Sequence, residues 1–223
     1  MARLIANLKP IERFYEIGNP QKEILRHCLS LEMAGADGVL MDTGNEYEPA
    51  RSRLLEVVNN SLNIVLTVET AAEEQWIESL QEAKPSMVIF KYDEGRTEQL
   101  SAFVTRLQVE DILIAFRVQD DLDSIKKAAK LKADYFILDC DPYCKAVSLN
   151  KEVEELNKIV KLSSLGKKLS MGVIASGEFS KRKLKRLNDT GVIEEFILGL
   201  EFFSESLLRG YGVAIQNVRS SLT

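Results

Sequence analysis

The chain has 223 residues, 45% hydrophobic and 28% charged, with a net charge of -5 and one histidine. This length buries a full core without disulfides, and the acidic balance argues against nucleic acid as the main partner. No apolar stretch reaches the length of a membrane span, the first residues lack a signal-peptide core, and the three cysteines are an odd number. The expectation is a reduced, cytoplasmic protein with no membrane association.

Short apolar runs alternate with helix-length amphipathic segments, and nearly every run closes on a polar or charged residue. Residues 4–8 end at Lys9. A helix is expected from the Asn19-Pro20 start, a capping residue followed by proline, to Met33. Residues 38–41 then end at Asp42, and a helix follows over 48–59. Residues 64–68 end at Glu69, before a helix over 71–83 with Thr70 as its cap. Residues 87–90 end at Lys91, before a helix over 97–107, and 112–116 end at Arg117, before one over 120–131. Residues 135–138 end at Asp139, followed by a helix over 151–165. Residues 172–175 end at Ser176, and Ser180 caps a helix to Asn188. Residues 196–200 end at Glu201, and one helix over 203–220 closes the chain. Runs this short and apolar read as strands buried on both faces. Eight of them alternating with helices predict a single α/β domain over 1–223, a (β/α)8 TIM barrel with its chemistry at the carboxyl ends of the strands.

Asp42, Glu69 and Asp139 are then expected to face one another across the barrel mouth. A carboxylate there serves as a general base, with Lys9, Lys91 or Arg117 tuning its pKa. A lysine there forms a Schiff base with a carbonyl or holds a phosphate. The alternative is a solvated ion-pair network around the rim. The only histidine, His27, falls in the first helix and reads as structural, which removes most zinc sites and Ser-His or Cys-His schemes. Cys140 and Cys144 flank Asp-Pro-Tyr without a completing cluster and read as free thiols. The basic run 181–186 reads as a solvated outer face, and Trp76 as packing on the barrel or a neighbouring subunit. No Walker or dinucleotide glycine motif is present. In many barrels the loops after strands seven and eight hold phosphate. Here they offer Ser176-Gly177 and, more weakly, Gly199-Leu200.

The segment Leu31-Glu32-Met33-Ala34-Gly35-Ala36-Asp37-Gly38 resembles the first helix-to-strand turn of pyridoxine 5'-phosphate synthases. The resemblance continues through Thr67-Val68-Glu69-Thr70, Glu82-Ala83-Lys84-Pro85, Ser164-Leu165-Gly166 and Glu195-Phe196-Ile197-Leu198-Gly199, and covers essentially the whole chain. It implies a (β/α)8 barrel with extra helices, usually octameric. That family condenses 1-deoxyxylulose 5-phosphate with 3-amino-2-oxopropyl phosphate. Carried over by position, Asn7 matches the family asparagine, Glu69 the catalytic glutamate, and Tyr143 fits near its counterpart. Elsewhere the chain departs. Lys9 and Pro10 replace an aspartate and a histidine, Asp42 and Gly44 a catalytic histidine and an arginine, and Asp139 and Gly177 two further histidines. Gly199-Leu200 replaces a Gly-His phosphate contact, and the glycine-rich insertion of the fourth loop is absent.

The expectation is a diverged synthase-like enzyme, a transferase or lyase, acting on a small phosphorylated or carbonyl metabolite. Glu69, Asp42, Lys91, Lys9 and Asp139 are its catalytic candidates. Asn7, Arg117, Ser176, Gly177 and Gly199 are its binding candidates. No cofactor and no metal are expected, and a homo-oligomer is. The alternatives are a non-catalytic homologue that binds a phosphorylated metabolite or a protein partner, and a lysine-dependent aldolase- or lyase-like barrel.

Overall fold

The computed structural model describes residues 1–12, 20–44 and 46–222. Among these, eight strands close into a barrel in chain order: β1 (Arg3–Asn7), β2 (Gly38–Asp42), β3 (Val65–Thr70), β4 (Met87–Lys91), β5 (Leu113–Arg117), β6 (Tyr135–Asp139), β7 (Gly172–Gly177) and β8 (Glu195–Leu198). Every neighbouring pair is parallel, and β8 returns to β1. The helices are α1 (Lys9–Glu12), α2 (Pro20–Ala34), α3 (Pro49–Ser61), α4 (Glu74–Ala83), α5 (Thr97–Gln108), α6 (Leu122–Lys130), α7 (Asp141–Cys144), α8 (Leu149–Lys168), α9 (Lys181–Asn188), α10 (Leu200–Arg209) and α11 (Tyr211–Arg219).

The period-two alternation of a strand sorts the core into two bodies. Ile5, Leu40, Met87, Ile89, Ala115, Ile137, Ile174 and Ile197 fill the barrel interior. Leu4, Val39, Met41, Leu66, Val68, Phe90, Phe116 and Phe136 point outward and pack with the helices. Both sets are buried, which is why the strands read as continuous apolar runs. The same phase fixes what lies at the two ends of the interior. Toward the amino end it brings in Arg3, Tyr135 and Glu195. The Arg3 guanidinium pairs with the buried Glu195 carboxylate and donates to the Tyr135 hydroxyl at 3.1 Å. Burial pushes the Glu195 carboxyl up, against the lowering effect of Arg3. Toward the carboxyl end the same phase brings in Asn7, Asp42, Glu69, Lys91, Arg117, Asp139, Ser176 and Gly199.

Several local expectations are corrected. The segment 203–220 is not one helix: Gly210 adopts a positive φ of 80° and separates α10 from α11. Glu201 does not end a strand, because β8 stops at Leu198 and Glu201 lies in the first turn of α10. Lys9 follows β1 by two residues and opens α1. Thr70 is the last residue of β3, where its hydroxyl hydrogen-bonds that of Thr43 at 2.9 Å, and α4 starts four residues later. Ser180 stands at the cap position of α9 without a side-chain cap bond. Asn19 lies outside the described residues. Trp76 is fully buried, stacked edge-on against Tyr47, and Phe103 is buried in the core, so neither offers a surface for association. All three cysteines are free thiols, and His27 bonds the Tyr211 hydroxyl at 2.7 Å.

The basic run of α9 is only partly a solvated face. Lys183 is 7% exposed. Arg182 and Arg186 both reach Glu152 of α8, whose carboxylate is 3% exposed beneath them. The hydrogen bond from Arg182, against burial and aided by Arg186, holds the Glu152 carboxyl down to about 2 from an ordinary value of 4.5. A depressed carboxyl pKa stabilises the fold above its unfolded value, and that contribution fades as pH falls toward the folded value. Glu152→Gln is therefore expected to lower Tm at neutral pH. The gap to wild type should close between pH 4.5 and about 2. Thermal melts across that range check it, and a gap independent of pH would refute it.

Candidate functional site

The barrel mouth is built by the strand ends, since each axis-facing side chain there sits two residues past an interior one, apolar on every strand except β3, where the buried Thr67 precedes Glu69. Its strongest pair is Glu69 with Arg117. Arg117 donates Nε to Glu69 Oε1 and Nη2 to Oε2, both at 2.9 Å, in a two-pronged contact from β5 to β3 that passes over β4. Both side chains are part-buried, 28% and 29% exposed. Planar two-pronged pairing suits arginine and fixes the carboxylate's orientation. Lys91 and Arg117 are register partners on β4 and β5. Lys91 is exposed, and among the described residues its ammonium makes no ion pair or hydrogen bond.

A second group gathers beside β1 and β2. Lys9 Nζ donates to Asp42 Oδ2 at 2.6 Å, and the Gly44 amide donates to Asp42 Oδ1 at 2.8 Å. Arg51 from the first turn of α3 donates to the Asp42 carbonyl and pairs with Glu12 at 2.5 Å. Burial pushes the Asp42 carboxyl up, but the bonds from Lys9 and Gly44 and the charges of Lys9 and Arg51 outweigh it and hold the group low. Burial wins at Glu12, whose carboxyl is raised despite Arg51. Asn7 caps this corner by accepting from the Lys9 amide at 3.1 Å.

The third group lies after β5, β6 and β7. Asp139 is exposed, and its Oδ1 accepts from the Asp141 amide at 2.9 Å. Asp120 stands behind it near Lys158, at 3.6 Å, with Oδ1 buried and unpartnered. Burial raises the Asp120 carboxyl, and the charge of Asp139 adds to the rise. Ser176 pairs in register with Asp139, and its carbonyl accepts from the Cys140 amide at 2.7 Å. Gly177 is packed against α7, where an added Cβ would stand 3.2 Å from Cys144 Sγ. Burial pushes the Cys144 thiol up to about 12 and Cys140 well above its ordinary value, which disfavours the reactive thiolate at both.

The structure thus brings Asp42, Glu69, Lys91, Arg117, Asp139 and Ser176 to one rim, with Asn7 and Lys9 at its β1 corner. Gly177 faces α7, and Gly199 faces Glu178. Sequence reasoning missed Glu12, Arg51, Asp120 and Glu178. None ends an apolar run. Only Glu178, an acid directly after the Ser176-Gly177 loop, left a signal that could have been followed. Among the described residues no three His, Cys, Asp or Glu side chains are grouped to hold a metal.

A closed parallel (β/α)8 barrel with ionisable side chains gathered at its carboxyl-end mouth defines the class of this protein. The family model of the pyridoxal phosphate biosynthesis protein PdxJ matches residues 16–223, and the chain belongs to that family. The pyridoxine 5'-phosphate synthase of Citrifermentans bemidjiense is 27% identical over 232 residues, spanning 98% of this chain and 97% of that protein. The synthase of Geotalea daltonii is 25% identical with the same coverage. A solved structure described as native KDPGal superposes with a TM-score of 0.68 at 15% identity, over 98% of this chain and 95% of that one. That likeness concerns the fold alone.

Proposed function

We propose that this chain is a diverged synthase-like enzyme acting on a small phosphorylated or carbonyl metabolite at the barrel mouth. The observation that carries this is the unpaired Lys91 beside the Glu69–Arg117 pair. Lys91 would polarise a carbonyl oxygen, or, as the neutral amine, add to the carbonyl carbon and form a Schiff base as the carbonyl oxygen leaves as water. Arg117 has two jobs that compete. While it grips Glu69, that carboxylate is a poor base. An anionic group on the substrate draws the guanidinium away and frees Glu69 to take a proton from the carbon next to the carbonyl. Asp139 keeps one carboxylate oxygen for a second proton transfer.

The family condensation requires several proton transfers near neutral pH, for which histidine is the suited group. His27, the one histidine, is away from the strand ends: it sits in α2, bonded to Tyr211. We therefore expect weak or no formation of pyridoxine 5'-phosphate from the two family substrates, read by product fluorescence or chromatography. Formation at ordinary enzyme rates, about 1 per second or faster, would overturn this. A screen of phosphorylated and carbonyl metabolites by thermal shift, followed by turnover of each hit, tests the positive claim. Hits that bind without turning over would favour the non-catalytic reading. The mutual satisfaction of Lys9 with Asp42 and of Glu69 with Arg117 supports that second reading.

A further inference from the structure

The loops after β7 and β8 end in a helix N-terminus, the feature that commonly holds phosphate in barrels of this architecture. Here that place is filled by the protein itself. Glu178 Oε1 accepts from the Leu200 amide at 2.9 Å, and Oε2 accepts from the Glu201 amide at 2.7 Å. The two oxygens of one carboxylate thus take two successive free N–H groups at the start of the ten-residue α10. The backbone is shaped to admit it. A Cβ at Gly199 would stand 2.3 Å from Glu178 Oε1, so any side chain at 199 would expel the carboxylate. The loop is also held from behind, because the Glu178 amide donates to Asp141 Oδ1 at 3.2 Å. A cavity of about 430 Å³ opens beside this loop between α9 and α10, lined by Gly177, Lys181, Leu184, Gly199, Phe202 and Arg209.

We infer that Glu178 is a specificity-determining residue: a built-in anion that occupies the amide cradle and turns phosphate away from the β7–β8 end of the mouth. Two like charges cannot share the two amides, and a phosphate there would also meet the Glu178 carboxylate at close range. Rejection of a competitor by a placed like charge is a common source of specificity. The inference deepens the proposed function by narrowing its substrate. The anionic group of a ligand must lie on the Lys91–Arg117 side, and the end that meets β7 and β8 is not a phosphate ester.

Calorimetric titration of inorganic phosphate into the full chain tests it. Glu178→Ala is expected to bind phosphate at least about tenfold more tightly than wild type, a change of about 1.4 kcal/mol. Adding Lys91→Met to that variant should leave the gain intact, because the freed amides lie at the other side of the mouth. Glu178→Gln keeps the length and one acceptor while losing the charge. It should show a smaller gain in the same direction, and it carries the test if the alanine variant does not fold. Equal affinities in wild type and a folded variant would overturn the inference. So would a gain that disappears with Lys91→Met. The readout is binding of phosphate alone, so a failed search for turnover, which would sink the proposed function, leaves this result standing.

Discussion

Glu69→Gln is expected to lower turnover of a carbonyl substrate found by the screen by about 10²- to 10⁴-fold, the usual effect of removing a general base. The change is nearly isosteric and leaves one oxygen to accept from Arg117. Both side chains are part-buried rather than sealed, so the loss of the charged pair should alter stability by about 1 kcal/mol or less. The size of the rate effect against the size of the stability effect separates catalysis from a rim ion pair. A ligand that stabilises wild type and Glu69→Gln equally, with turnover unchanged, would remove Glu69 from the chemistry. Because the variant loses the charge but keeps one acceptor, Arg117 is held less tightly there, and substrates with an anionic group should retain their binding while losing turnover. A rise in KM with kcat preserved would instead show that Glu69 only positions Arg117.

Lys183→Met is expected to destabilise the fold by about 1–3 kcal/mol, the range for leaving a buried polar group without its partner. Lys183 comes from α9 and reaches under α7. Its Nζ donates to the carbonyls of Tyr143 at 3.0 Å, Cys144 at 2.6 Å and Ala146 at 3.0 Å. In return the Tyr143 hydroxyl donates to the Lys183 carbonyl at 3.1 Å. The ammonium lies 5.7 Å from the Tyr143 ring centroid. A four-residue helix such as α7 has no length to stabilise itself, and a cation at its carboxyl end satisfies the last carbonyls. Methionine matches the stem and removes the donor, which takes the side-chain partner from the Cys144 and Ala146 carbonyls and leaves that of Tyr143 with only the Ala146 amide at 3.3 Å. Denaturant unfolding of wild type and variant measures the difference. A loss below about 1 kcal/mol would show that water replaces the ammonium without cost. Since α7 carries Asp141, which accepts from the Glu178 amide, the variant should also loosen the loops after β6 and β7.

The barrel was legible because its strands carry their signal locally. Residues 87–90 and 135–138 are short, apolar and β-prone, and each closes on a charge that emerges where the strand leaves the core. The element ends were less legible. Thr70 looked like a cap because threonine favours that position, yet the strand runs on through it and pairs it with Thr43. Gly210 gives no local sign of a break, because the apolar pattern of 203–220 continues on both sides of it. Its positive φ breaks the helix all the same. The basic run of α9 misled for a different reason. Lysine and arginine usually face water, and nothing near residues 181–186 in the chain reveals a buried acid at 152 or bare carbonyls at 143–146.

What the sequence alone determined is the phase of each strand, and with it the set of side chains that face the barrel axis. Alternation has a period of two, so an interior Ile89 or Ala115 obliges Lys91 or Arg117 to point into the mouth. What only the tertiary structure decided is which of those charges meet. Glu69 and Arg117 are 48 positions apart, and closure of the sheet, with its twist and stagger, lets one reach the other over the strand between. Glu178 reaches the start of α10 for the same reason, across 22 positions. Local pattern sets the direction of a side chain; the partner at the end of it is set by the path of the whole chain.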